Sequence, residues 1–198
     1  QTMLSRDVKI YPIISSYNEE IDTSTDTATD TTSDTSTDTS GAINANQKIY
    51  LNEKATSVDQ IIGKKVVLTI KNCAVIGELS GNNGVARDIE SDEDGMYVDG
   101  KAVFTVVFEN DSYYLYNEVS KKYYGYKGNN SYTALYGSMC NDAMLNIAYN
   151  SSNSSFLISS VVNTHELSFF SSTGNSFRWY EPNAFTDRSR DVVIYLVD

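Results

Sequence analysis

The run Asp88-Ile-Glu90-Ser-Asp92-Glu93-Asp94-Gly95 concentrates the chain's best oxygen ligands. Glu90, Asp92, Asp94 and Gly95 stand as the first, third, fifth and sixth positions of a calcium loop do, where alternating oxygens surround the ion and glycine makes the turn. The position that should bring a bidentate carboxylate is Lys101. A solvated acidic loop is therefore expected, with a weak calcium site on Glu90, Asp92 and Asp94 as the alternative. No cofactor is expected.

Catalytic chemistry is thinly provided. The single histidine, His165, opens HELSFF just after VVNT, where it reads as a surface residue at a hairpin edge. Nothing near it in sequence completes a nucleophile-base pair or a metal site. SSNSS at 151–155 is turn chemistry, and no glycine-rich loop stands between a strand and a helix to cradle phosphate. The chain is expected not to be an enzyme. Cys73 and Cys140 fit either one bridge or two buried thiols.

Ligand contact through aromatics is the remaining chemistry. An aromatic face matches the apolar side of a sugar ring and amides match its hydroxyls. Tyr123, Arg178 and Tyr180 read as outward-facing, and Asn129 and Asn130 lie in the turn after KYYGYK. These five form the candidate ligand-binding set.

The elements that must position them are strands. From Lys64 onward, short runs rich in Tyr, Val, Ile and Thr are divided by Asn, Gly, Ser and Asp clusters. They fall into three sets of four. The first is VVLTIKN, CAVIGELS, a weak run around Met96 to Val98, and AVFTVVF; the second is YYLYN, KYYGYK, YTALY and AMLNIAY; the third is FLISSVV, HELSFF, FRWYE and VVIYLV. A two-residue period in the closing strands selects one inward face: Phe104, Val106 and Phe108; Leu145, Ile147 and Tyr149; Ile194 and Leu196. Alignment of the second and third sets turns Tyr124, Tyr126 and Trp179 inward, and pairs Tyr132 with Phe177 and Ala134 with Trp179. Three copies of a four-stranded unit predict an all-β, β-trefoil-like barrel; a β-sandwich of similar strand count is the alternative.

The series YYLYN, KYYGY, FRWY and the closing IY resembles a trefoil-type module of secreted and surface proteins of gut Bacteroidetes, over about Ala102 to Asp198. Trefoils of the ricin type bind sugars and carry a Gln-x-Trp signature in each repeat. That signature does not occur here, and the one Trp is Trp179. The resemblance implies a binding module at the cell surface or outside the cell. Its partner would be a carbohydrate or another cell-surface ligand, and alternatives are a structural bead of an adhesin or fibre and the accessory tail of a secreted hydrolase.

Charge and repeats bound the rest. The net charge is −11, with eight acids and two bases in the first 43 residues, so no basic stripe exists for nucleic acid. No apolar run is long enough to span a membrane. SRDVKIY at Ser5–Tyr11 returns as SRDVVIY at Ser189–Tyr195, with only Lys9 and Val193 differing. Residues 1–13 therefore read as the last strand of a preceding, similar domain, or as an exchanged strand. Residues 14–43 read as an acidic Thr/Ser/Asp linker, and 44–198 as the trefoil-like domain. Within the linker, Asp26-Thr27-Ala28 and Asp30-Thr31-Thr32 resemble O-glycosylation acceptors.

Overall fold

A computed structural model of the chain describes residues 42–128, 131–172, 174–182, 184 and 189–197. The first heptad, the 1–13 segment, the linker up to residue 41, and Asn129 and Asn130 lie outside the described residues.

β-Branched and aromatic residues on a two-residue period produce strands almost throughout, because that pattern fills one buried face of a pleated surface. In chain order the strands are β1 (Lys48–Tyr50), β2 (Glu53–Lys54), β3 (Lys65–Ile70), β4 (Cys73–Ser80), β5 (Asn83–Asp88), β6 (Glu90–Asp92), β7 (Gly95–Asp99) and β8 (Val103–Glu109). They continue as β9 (Ser112–Asn117), β10 (Lys122–Tyr126), β11 (Thr133–Tyr136), β12 (Leu145–Asn150), β13 (Ser155–Ser160), β14 (Glu166–Phe170), β15 (Ser176–Tyr180) and β16 (Val193–Val197). Only two short 3-10 turns, Gly100–Ala102 and Asn141–Ala143, interrupt them, and no described helix is long and apolar enough to cross a membrane.

Six strands pair in a cycle. β3 pairs with β8, β8 with β9, β9 with β12 through Tyr113 and Leu145, and β12 with β13. Phe156 of β13 bridges to Val192, immediately before β16, and β16 returns to β3. Six further strands form the hairpins β4–β5, β10–β11 and β14–β15. Those hairpins also touch one another: β15 pairs with β5, the Thr133 amide donates to Asn82 O at 2.9 Å, and the Trp179 amide donates to Ser131 O at 3.3 Å. Three units of two cycle strands and one hairpin make the fold β-trefoil-like.

One principal core fills this arrangement. Val66, Leu68, Phe104, Val106, Leu115, Leu145, Phe156, Ile158 and Ile194 are wholly buried on the cycle strands. Tyr124, Tyr126, Leu167, Phe177 and Trp179 continue it into the hairpins. Phe108 departs from the expected inward face: it is 45% exposed at the end of β8, beyond the core, with its ring 4.8 Å from Tyr113. Both described cysteines are free.

The first repeat differs from its expected strands. Its third strand is β5, not the run around Met96 to Val98. NGVARD has little apolar periodicity, and its Gly84 is buried because the Tyr124 hydroxyl occupies the space a Cβ would need. The Met96–Val98 run belongs instead to an added sheet ordered β1-β7-β6. This sheet rests on a second apolar cluster of Ile49, Leu51, Val67, Ala74, Ile76, Val98, Ala102, Val103 and Tyr195.

The register of β11 is also shifted by one from the alignment. Thr133 and Leu135 turn to the core, while Tyr132 and Ala134 stay half-buried. A threonine can face inward here because its hydroxyl donates to Phe177 O at 3.2 Å.

Asn117 is a polar clamp within the first and second repeats. It is fully buried, its amide donates to Lys101 O at 2.8 Å and Val103 O at 3.0 Å, and its Oδ1 accepts from the Val119 and Ser120 amides at 3.3 and 2.8 Å. Gly77 makes room for it, since a Cβ there would collide with the Asn117 amide group.

Candidate functional site

β15 fixes the site by alternation. Phe177 and Trp179 go inward, so Arg178 and Tyr180 emerge half-buried on the opposite face. The Arg178 guanidinium lies 4.4 Å above the Phe170 ring, and the Tyr180 ring lies 5.9 Å from the same ring. Arg178 Nε is buried with no partner among the described residues.

At the end of β15, Tyr180, Glu181 and Ala184 line an open cleft of about 450 Å³, together with Tyr126, Gly128, Ser131 and His165. Tyr126 is 2% exposed, so its ring is a wall fixed by the core. His165 packs against that ring at 5.2 Å, and its Nδ1 lies 3.4 Å from Asn163 O. The half-buried Tyr180 ring, with an imidazole, a hydroxyl and a carboxylate in the same lining, suits a ligand that has both an apolar face and hydroxyls.

Of the five expected residues, Tyr180 lines the cleft directly. Arg178 shares its strand face but joins the Phe170 stack. Asn129 and Asn130 lie outside the described residues. Tyr123 is elsewhere, in a tyrosine cluster with Tyr114 at 6.1 Å and Tyr116 at 5.1 Å. Its cross-strand neighbour Tyr136 donates to Tyr126 O at 2.7 Å, and burial, with Asp142 and Cys140 adding to it, pushes the Tyr136 phenol up to about 12.

Sequence reasoning missed His165 and Tyr126 as cleft residues. The first was read as a hairpin edge and the second as core only. The signal that connects them is their position at the mouths of two hairpins that meet in space, which needs the trefoil arrangement and not the local pattern.

The carboxylates of the acidic run are engaged by neighbouring side chains. Asp92 accepts from Lys48 Nζ at 2.6 Å and from Tyr50 OH at 3.1 Å, while Glu90 accepts from Tyr97 OH at 2.7 Å. The Lys48 hydrogen bond holds the Asp92 carboxyl below its ordinary value. Among the described residues no three His, Cys, Asp or Glu side chains are grouped to hold a metal. The carboxylates instead tie β6 to β1 and β7.

The fold defines a class, the β-trefoil-like proteins. No protein-family profile matches the chain and no curated protein is similar to it in sequence. Solved structures are similar in fold. The BEL β-trefoil is 12% identical with a TM-score of 0.53, over 75% of this chain and 99% of that one. A Polyporus squamosus lectin, bound to a human-type influenza-binding epitope, is 12% identical with a TM-score of 0.53, over 67% of this chain and 48% of that one. A GlcNAcα1-4Gal-releasing endo-β-galactosidase from Clostridium perfringens is 9% identical with a TM-score of 0.54, over 68% of this chain and 33% of the enzyme. The chain therefore spans about a third of that enzyme's length.

Proposed function

We propose that this chain is a non-catalytic carbohydrate-binding module of a larger protein that works at the cell surface or outside the cell. The observation that carries the reading is the cleft between the β10–β11 and β14–β15 hairpins, where Tyr126 and Tyr180 face polar His165, Ser131 and Glu181. The Tyr180 ring takes the apolar face of a pyranose, and the polar groups of the cleft take the hydroxyls. Fold likeness to a lectin adds support, as does likeness to one part of a glycosidase. The second of these likenesses favours a companion reading, in which the module accompanies an enzyme domain carried elsewhere in the same protein. The non-catalytic reading is supported by how the one histidine is engaged: it rests against the Tyr126 ring with its Nδ1 3.4 Å from Asn163 O, and among the described residues no hydrogen bond joins it to the Ser131 hydroxyl or the Glu181 carboxylate. The origin in gut Bacteroidetes, and a tandem arrangement with a similar neighbour, belong to the same proposal through the aromatic motifs and the twin heptad.

The test is a glycan array followed by titration of the best-bound glycan into the wild type and Tyr180→Ala. Retention with at least a tenfold loss in the variant, and no release of sugar from the glycan, is expected. Absence of retention on every glycan, or unchanged affinity in Tyr180→Ala, overturns the assignment of this cleft.

A further inference from the structure

A second cleft, of about 430 Å³, lies on the β12–β13 hairpin and the segment leading into β16. It shares no lining residue with the first cleft. Its aromatic surface is Tyr149, half-buried, whose ring rests 4.9 Å from the buried Phe156. Beside that surface stand two polar devices. In one, Ser155 Oγ donates to Asn153 Oδ1 at 2.8 Å and Asn153 Nδ2 donates to Asp191 Oδ1 at 3.1 Å, so the Asp191 carboxylate is held in place. In the other, Arg190 Nη1 donates to Glu166 Oε2 at 2.7 Å.

The Arg190–Glu166 pair is the more telling of the two. The Glu166 side chain is only 9% exposed, yet it lines the cleft, and the Arg190 side chain is 31% exposed. Their contact uses one donor of the guanidinium fork and one carboxylate oxygen, so further donors and lone pairs are left for another partner. A buried charge pair is seldom the cheapest way to stabilise a core, because desolvation offsets most of the attraction. Here it sets a donor and an acceptor side by side at the floor of a cleft, which is the pattern that two neighbouring hydroxyls complement. Charge narrows the ligand further. Among the described lining residues the carboxylates Glu166 and Asp191 outnumber Arg190, which disfavours an anionic ligand.

We propose that this cleft is a second, independent binding site for a neutral saccharide unit, with Tyr149 under the ring and the Arg190–Glu166 pair and Asn153 on its hydroxyls. A saccharide as occupant rests on the binding-module reading; the site's existence rests on its own residues. Two sites on one rigid module let a branched or repeating glycan bind through both, so its affinity exceeds that of either site alone. The shared heptad gains a local meaning: Arg190 and Asp191, its second and third letters, are two of the three charged residues described in the cleft lining.

The test uses the intact chain, isotope-labelled for amide NMR and titrated separately with the methyl glycosides of galactose, mannose, N-acetylglucosamine and glucuronic acid. At least one neutral glycoside is expected to shift Tyr149, Asn150, Asn153 and Leu157, with the glucuronide at least tenfold weaker there. These shifts should persist in Tyr180→Ala, and should weaken at least tenfold in Tyr149→Ala and in Arg190→Lys, each checked for an unchanged amide spectrum elsewhere. If neutral glycosides shift Gly128, Ser131 and Tyr180 but never the second cleft, the second site is overturned and the binding-module reading stands. If neither cleft responds to any glycoside, both are overturned. Equal binding of the glucuronide at the second cleft refutes the neutral-ligand assignment.

Discussion

Asn117→Ala is the sharpest test of how the repeats are held together. Four hydrogen bonds end on this wholly buried amide, and the substitution removes all of them. Val103 O keeps a partner, because the Glu118 amide donates to it at 3.0 Å. Lys101 O and the amides of Val119 and Ser120 are left, and their residues are only half-buried, so water replaces part of the loss. With about two groups left without a partner at roughly 1–3 kcal/mol each, the expected cost is about 2–6 kcal/mol. For a domain of this size that corresponds to a fall in Tm of about 4–24 °C. Asn117→Asp keeps the shape and the acceptor to Val119 and Ser120, but turns a carboxylate oxygen toward two carbonyls. Burial without a counter-charge raises its folded pKa above the unfolded value of about 3.9, so its stability is intact below that value and is lost as pH rises through the folded pKa. Urea unfolding at pH 4.5 and 7.5 should therefore show a smaller gap to wild type at the lower pH. A cost under about 1 kcal/mol for the alanine variant, or a gap for the aspartate variant that does not change with pH, refutes the clamp.

The clamp also makes Gly77 irreplaceable: Gly77→Ala should destabilise by about 1–3 kcal/mol by thermal melting, because its Cβ meets the Asn117 amide. Trp179→Ala, which removes the largest fully buried side chain, should cost about 3–5 kcal/mol or leave the chain unfolded by near-UV circular dichroism. Burial, reinforced by Asp88, pushes the Cys73 thiol up to about 12, so thiol titration at pH 8 should label Cys140 well before Cys73. Cys73, Tyr136 and, further still, Tyr124 all have raised folded pKa values; the stability they contribute is complete below pH 9 and is lost as pH rises through the folded values, so alkaline titration should show melting before most of these groups ionise. Val193→Lys, which turns the second heptad into the first, should shift stability by no more than about 1 kcal/mol at a half-buried position, whereas Ile194→Lys should prevent folding.

How much was legible follows from how each residue is buried. Phe104 and Val106, Leu145 and Ile147, and Ile194 announce their faces because a two-residue period repeats at matching places in three sets, and all five are inward. Tyr124, Tyr126 and Trp179 were legible by the same comparison. β5 was hidden, since Gly84 is buried by a tyrosine from another repeat and leaves no apolar letter to read. Thr133 defeats a hydrophobic register because a hydrogen bond, not its own composition, admits it to the core. Of the candidate site, alternation along β15 exposed Tyr180. His165 carried no local signal, and Tyr123, although outward, faces a different part of the surface. Such placements depend on which hairpins become neighbours, and sequence period does not encode that.

The pairing of β3 with β16 sets the order of events during synthesis. The Thr69 hydroxyl donates to Val193 O at 3.3 Å across 124 residues of sequence. Contacts so far apart form late and slowly, since a long loop has to close before any of them is gained. Until the ribosome has passed Val197, β3 has an unsatisfied edge, and the aromatic core between the hairpins lacks its closing strand. Factors that hold nascent chains therefore meet this domain open, and the β3 edge is protected only once β16 has paired with it.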